Sequence, residues 1–150
     1  MERLPPFQVV LDRHSDEVWR VLRGMVGAQA AEDCFQETFL AALRAYPRLR
    51  EGSNVRAWLL TIAHRKAIDH TRRRRRELPL EEEHEPAAPS APEREIWSAV
   101  EQLPPRQRAA VVLRYGADLA HREVAELIGC SEEAARRSLH EGLKRMREEL

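Results

Sequence analysis

Three groups of side chains in this 150-residue sequence have types and spacings that could do chemistry. The first is the run HRKAIDHTRRRRR, in which His64, Arg65 and Lys66 precede Asp69 and then Arg72, Arg73, Arg74, Arg75 and Arg76. A basic run of this density is an electrostatic footprint for phosphates. Of the 25 basic residues only Lys66 and Lys144 are lysines, so the planar guanidinium fork, which matches phosphate geometry, dominates. The second group is Glu133, Arg136, Arg137, His140 and Lys144, whose helical intervals put them on one face. On such a face arginine can bind guanine O6 and N7, and glutamate can accept from cytosine N4. The third, Asp33, Gln36, Glu37, Leu40 and Arg44, sets acids around an exposed leucine at one-turn spacing. A face of that kind can dock on a basic helical partner.

Catalytic constellations do not emerge from the remaining residues. The glycines are isolated at 24, 27, 52, 116, 129 and 142, which excludes a glycine-rich phosphate loop. His64 and His70 are six apart, off ligand spacing, with no carboxylate completing a metal set. Asp69 lies at helical separations from Arg65, Arg72 and Arg73 and reads as their ion-pair partner. Cys34 and Cys130 are too few for a disulfide framework or a four-ligand zinc site. The expectation is therefore a binding protein, not an enzyme, with no cofactor and no metal.

The elements that must carry these groups are outlined by proline and charge. The formal net charge is zero, yet residues 1–76 hold 15 basic and 9 acidic residues, 77–95 hold 1 and 7, and 96–150 hold 9 of each. The nine prolines fall at 5–6, 47, 79, 86, 89, 92 and 104–105, and proline is expelled from helix interiors, so the stretches between them read as helices. Apolar residues recur at helical spacing in each: Phe7, Val10, Leu11, Val18, Val21 and Leu22; Phe35, Phe39, Leu43 and Tyr46; Val55, Trp58, Leu59 and Ile62. Strand-type alternation is not sustained anywhere. The fold class is all-α: two small helical domains, 1–76 and 93–150, joined by a flexible acidic Pro-rich linker over 77–92. That segment, ELPLEEEHEPAAPSAP, has almost nothing to bury against its ordering entropy. No run approaches the roughly 18 apolar residues of a membrane span, and no signal-peptide pattern opens the chain, so a soluble cytoplasmic protein without membrane insertion is expected.

The most specific pattern is HREVAELIGCSEEAARRSLHEGLKRM, residues 121–146. Ala125 permits close helix approach, Gly129 supplies a turn, and Ser131 caps a helix opening on Glu132 and Glu133, where the helix dipole favours anions. Leu127 and Ile128, then Leu139, Leu143, Met146 and Leu150, form the inward stripe. This fits a helix-turn-helix whose second helix enters a major groove. Upstream, LPPRQRAAVVLRYGADL reads as a backing helix ending near Gly116, with Arg106, Arg108 and Arg114 suited to phosphates. In REGSN, Ser53 or Asn54 can cap the helix that carries the basic run. Trp58, among Leu59, Leu60 and Ile62, reads as core.

In this order, AEDCFQETFLAAL, WLLTIAHRKAIDHTRRRRR and LPPRQRAAVVLRYGADLAHREVAELIGCS, with a Pro/acid linker between, resemble the bacterial RNA polymerase sigma factors of the extracytoplasmic-function (ECF) type over nearly the whole chain. The resemblance implies that Asp33, Gln36, Glu37 and Leu40 bind the clamp helices of the polymerase β′ subunit. It implies that Ser53, Asn54, Arg56, Arg65, Lys66 and Arg72 to Arg76 contact and open the promoter −10 element. It assigns the −35 element to Arg122, Ser131, Glu133, Arg136, Arg137, His140 and Lys144, and makes the β flap, promoter DNA and an anti-sigma factor further partners. The linker would thread toward the RNA exit path. Cys34 and Cys130 would be small buried hydrophobes.

The chain departs from the family at Arg65, where Asn is frequent, and at Ala120, where a Ser/Thr cap is usual. It departs again at residues 134–138, where Ala-Ala-Arg-Arg-Ser replaces a Thr-Val-Lys-Ser-Arg run. Two further readings stay open on the sequence: a stand-alone helix-turn-helix regulator, and a polymerase-binding adaptor without base readout.

Overall fold

The computed structural model describes residues 3–77 and 91–150, and every regular element among them is helical. Helix α1 (Phe7–Val26) follows Pro5 and Pro6 and stops at Gly27, whose φ of +87° a side-chain-bearing residue rarely adopts. Helices α2 (Ala28–Ala45) and α3 (Val55–Glu77) pack on it and on each other. Their shared core holds Val18, Val21, Leu22, Leu59 and Leu60, none of them exposed.

The inward face of α2 matches the expected one only in part. Ala30, Ala31, Cys34, Thr38, Phe39 and Ala42 are the buried positions, so Phe39 of the expected stripe is inside, Phe35 and Tyr46 are half-buried, and Leu43 is 51 % exposed. Presenting small residues lets the α2 backbone lie close to α1 and α3, and rolls the other aromatic residues to the edge of the core. There Phe7 meets Phe39 and Tyr46 edge-on at 6.5 and 5.3 Å, Trp19 meets Phe35 at 5.8 Å, and Tyr46 packs on Trp58 at 6.0 Å. Trp58 is accordingly a half-buried part of the core.

The second domain comprises α4 (Ala91–Glu101), α5 (Pro105–Val111), a π-helical stretch Val112–Gly116, α6 (His121–Ile128) and α7 (Glu132–Glu149). α3 therefore runs through Glu77, and α4 already begins at Ala91, inside the span expected for the linker. Residues 78–90, on which the expectation of an extended acidic strap falls, lie outside the described residues. In α7 the buried positions are Ala135, Ser138, Leu139 and Gly142, with Leu143 and Met146 half-buried. Leu150 is 63 % exposed, against expectation. The reason is where α5 crosses: a Cβ on Gly142 would meet Val111 Cγ2 at 2.9 Å and the Gln107 carbonyl at 3.4 Å, so the contact lies eight residues before the terminus.

The two domains share one core. α1 packs on α4, α5 and the π-helical stretch, and α3 packs on α6.

Gly129 ends α6 in the left-handed conformation, φ +78° and ψ +41°, with open space where a Cβ would stand. Its cost on substitution is therefore conformational. Gly129→Ala should lower stability in urea denaturation by about 1 kcal/mol, and Gly129→Asn by less, because Asn tolerates this region. Equal losses would mean that packing, not backbone conformation, sets the requirement.

Candidate nucleic-acid and partner interface

Asp33, Gln36 and Leu40 are exposed on α2, and Glu37 is half-buried beside them. Leu40 is 52 % exposed, a large apolar side chain one helical turn from Gln36 and Glu37. This face borders a groove of about 510 Å³ between α2 and α3, which Glu37, Leu40, Arg44, Lys66, Asp69 and Arg73 help to line. Arg73 Nη2 reaches Glu37 Oε2 at 3.5 Å across it. The expected pairing of Asp69 with its helical neighbours does not form: among the described residues its carboxylate makes no ion pair within 4.0 Å. The fork of Arg73 instead spans the groove to α2.

The turn before α3 is held rigid by its own polar groups. Ser53 Oγ donates to the Arg50 carbonyl at 2.6 Å, and Asn54 Oδ1 accepts from Ala57 N–H at 3.0 Å, so Asn54 is the cap. Arg56 donates through Nε to both Glu17 oxygens at 3.0 and 3.2 Å, and Glu17 also meets His14 Nδ1 at 2.7 Å. That network ties the start of α3 to α1, and so fixes the loop's orientation. Further along α3, Arg65 and Arg72 to Arg76 are exposed and Lys66 is half-buried. The helix hence offers a cationic edge about three turns long.

In the C-terminal domain Gly129 N–H and Cys130 N–H both donate to the Ala125 carbonyl, at 2.9 and 3.0 Å, closing the turn. Ser131 Oγ accepts from Ala134 N–H at 3.0 Å and starts α7. Lacking a side-chain oxygen, Ala120 caps α6 only in half: its N–H donates to Glu123 Oε1 at 3.0 Å. Val124, Ala125, Ala135 and Leu139 are buried beneath the turn, and small Ala135 lets the helix pair approach closely. Glu133, Arg136, Arg137, His140 and Lys144 all point outward. Arg136 pairs with Glu132 at 3.0 Å, and Arg122 on α6 lies 4.0 Å from Glu126.

Two arginines expected at phosphates do other work. Arg108 is half-buried and donates to the carbonyls of Met25, Glu101 and Leu103 at 3.0, 2.6 and 3.1 Å. Burial pulls its guanidinium below the ordinary value, with Glu101 opposing. Arg114 donates to the Leu119 carbonyl at 3.2 Å and lies 3.6 Å from Asp118, whose φ is +53°. Arg108 stabilises the ends of α1 and α4, whose last carbonyls have no helical partner, and Arg114 ties down the loop that leads into α6. Arg106 alone of the three stands exposed. Cys34 is buried, and burial, then Glu37, pushes its thiol up to about 11, which makes it inert. Cys130 is half-buried rather than buried.

Against known proteins, residues 10–77 match Sigma-70 region 2 and residues 93–146 match Sigma-70, region 4. The chain is 34% identical to the RNA polymerase sigma factor CarQ of Myxococcus xanthus, over 95% of this chain and 87% of that one. This chain belongs to the ECF sigma factors of the sigma-70 family. The sigma factor is also 38% identical to ECF sigma factor SigF of Caulobacter vibrioides, over 86% of this chain and 76% of that one. Its fold matches RpoE from Bartonella quintana, solved with the anti-sigma factor NepR, at TM-score 0.82 and 22% identity over 95% of both chains. It matches CnrH, solved with the cytosolic domain of CnrY, at TM-score 0.74 and 22% identity over 94% of this chain and 84% of that one. As a sigma factor it directs transcription initiation through RNA polymerase and acts as a DNA-binding regulator. No helix among the described residues is long and apolar enough to cross a membrane.

Two histidines of α3 give the fold a pH dependence. His64 is 7 % exposed, and burial, then Arg65, holds its imidazole below the ordinary value. His70 moves the same way, through burial and then Arg73 and Arg74, and its Nε2 is buried without a partner. The unfolded chain thus takes up protons at a higher pH than the folded one, so stability falls as pH drops through the free imidazole value of about 6.5. The urea midpoint should be lower at about pH 5.5 than at about pH 7.5, and His64→Gln should shrink the difference. A gap unchanged in that variant would remove His64 from the account.

Proposed function

We propose that this sigma factor reads two separate promoter elements while its first domain is held by core polymerase. Asp33, Gln36, Glu37 and Leu40 dock on the β′ clamp helices, where acids near an exposed leucine suit a basic helical surface. Ser53, Asn54, Arg56, Arg65, Lys66 and Arg72 to Arg76 serve the −10 element, with Arg65 and the 72–76 run on phosphates, Arg73 on release from Glu37. Arg56, through its Glu17 pair, orients the loop. Arg137, Glu133, His140 and Lys144 on α7 face the −35 major groove, with Arg136 joining them on release from Glu132. Ser131 and Arg122 flank them at the backbone, and the second domain meets the β flap. The factor works in the cytoplasm, where the polymerase is, and catalysis belongs to that enzyme. An anti-sigma protein is a further partner, as NepR is for the RpoE protein of like fold.

The single observation that carries this reading is the segregation of three exposed surfaces on one chain: acid and leucine on α2, arginine on α3, mixed polar on α7. Mixing the purified chain with core polymerase and a promoter library should give start-site-specific transcripts. Tight operator binding without polymerase would point instead to a stand-alone regulator, and co-purification without transcripts to an adaptor lacking base readout.

Two substitutions test the assignments separately. Gln36→Ala with Glu37→Ala should weaken polymerase association at least tenfold in titration, about 1.4 kcal/mol, with unchanged helicity. Replacing Arg72 to Arg76 with Gln should flatten the plot of log affinity against log salt by up to about four, at ~0.9 per phosphate contact. An unmoved slope would mean that the run is only solvated.

A further inference from the structure

A cleft of about 260 Å³ runs between the domains, with α3 on one side and α5 and the end of α6 on the other. His64, Ile68, Arg72 and Arg75 follow one another at intervals of three and four residues, so a single face of α3 borders it. Arg106 and Arg108 enter from α5. Four guanidiniums thus share one cleft, and among the described residues no carboxylate lines it. Arg72, Arg75 and Arg106 are exposed and, among the described residues, pair with no acid. Arg108 commits its Nη atoms to the carbonyls of Met25, Glu101 and Leu103, which leaves its Nε–H buried without a partner. His64 is 7 % exposed, and among the described residues its imidazole makes no hydrogen bond. The rest of the lining is largely apolar, with Met25 buried and Ile68 and Ile128 half-buried.

A cleft walled by one sign of charge focuses its field inward and leaves its cations repelling one another. An anion relieves that repulsion and offers acceptors to the orphaned donor of Arg108. The charge calls for more than a carboxylate, which one guanidinium fork already matches. A phosphate ester carries about −1.5 to −2 and three strong acceptor oxygens, enough for several forks at once. The volume falls just below the ~300–1,000 Å³ of ordinary small-molecule sites, which suits a phosphate with one small apolar body. We propose that this cleft binds a small phosphomonoester, its phosphate held by Arg72, Arg75 and Arg106 and its organic part laid against Met25, Ile68 and Ile128. The site itself needs only the cleft. Its consequence rests on the reading of Arg72 and Arg75 as −10 contacts: a fork closed on the bound phosphate is withheld from the DNA backbone, so the ligand opposes promoter binding.

Phenyl phosphate is a suitable probe. Calorimetric titration of the full chain should show saturable binding at one site, with inorganic phosphate about tenfold weaker for want of the ring. Arg106→Gln, at an exposed position, should weaken phenyl phosphate about tenfold with unchanged circular dichroism, because it removes a charged hydrogen-bond donor. Arg147→Gln, at an exposed position near the end of α7 and outside the cleft, should leave the affinity as it is. The probe should also move the His64 ring resonance, identified in NMR spectra by its absence from His64→Gln. At saturation it should flatten the salt dependence of promoter-duplex binding by the chain and core polymerase, by up to about two at ~0.9 per withheld contact. No saturable binding, an unmoved His64 resonance, or equal losses in Arg106→Gln and Arg147→Gln overturns the site, the last because net charge alone would then account for the attraction. Inorganic phosphate as tight as phenyl phosphate overturns the ester in favour of the free anion. An unmoved salt slope at saturation overturns the opposition to DNA. Should the chain without probe fail to bind the duplex at all, the −10 reading falls and the titration still decides the site.

Discussion

Helix α1 is buried from two sides, and that double burial is the constraint on which the rest of the molecule depends. One side gives Val10, Val18, Val21 and Leu22 to the three-helix core of the first domain. At its C-terminal end the same helix gives Gly24 and the Met25 carbonyl to the second. Domains of roughly 75 and 60 residues bury too small a fraction of their surface to be more than marginally stable alone. Sharing one helix adds apolar burial without adding chain. It also makes the relation between the domains depend on a glycine, because no other residue leaves room for Val112.

Charge is arranged around that core by the same economy of contacts. Arginines near a helix end are drawn to unpaired carbonyls, as Arg108 and Arg114 are, and an arginine so used is lost to DNA. Others are held by a carboxylate on a neighbouring helix, as Arg56 by Glu17 and Arg73 by Glu37. The outward basic side chains of α3 and α7, Arg65, Arg72, Arg75, Arg76 and Arg137 among them, are solvent-exposed. A sigma factor needs this division, since a guanidinium that fixes a loop and one that meets a phosphate cannot be the same group at the same moment.

Much of the fold was legible because its signals are local. Proline bounds α1 and α5, Asn54 and Ser131 cap α3 and α7 by bonds to residues three positions on, and Gly129 takes the left-handed turn. The helix-turn-helix and its outward face could be read for the same reason. What failed was rotation and end effects: Leu43 and Leu150 are exposed and Ala42 and Gly142 buried, since periodicity fixes a stripe only to within about one residue. Asp69 was misread because helical proximity offers an ion pair without enforcing one, and the α2 carboxylate of Glu37 competes for Arg73.

The sequence by itself determined the helices, their caps, the separation of charge and the family, all of which depend on residues within a turn or two of one another. Only the tertiary structure decided which arginines remain outward and how the two domains meet. Arg20 and Gly116 are 96 positions apart, and Arg108 and Met25 are 83 apart. No local spacing encodes a contact between residues so distant. It forms because an orphan carbonyl, a cation and a missing Cβ arrive together at one surface.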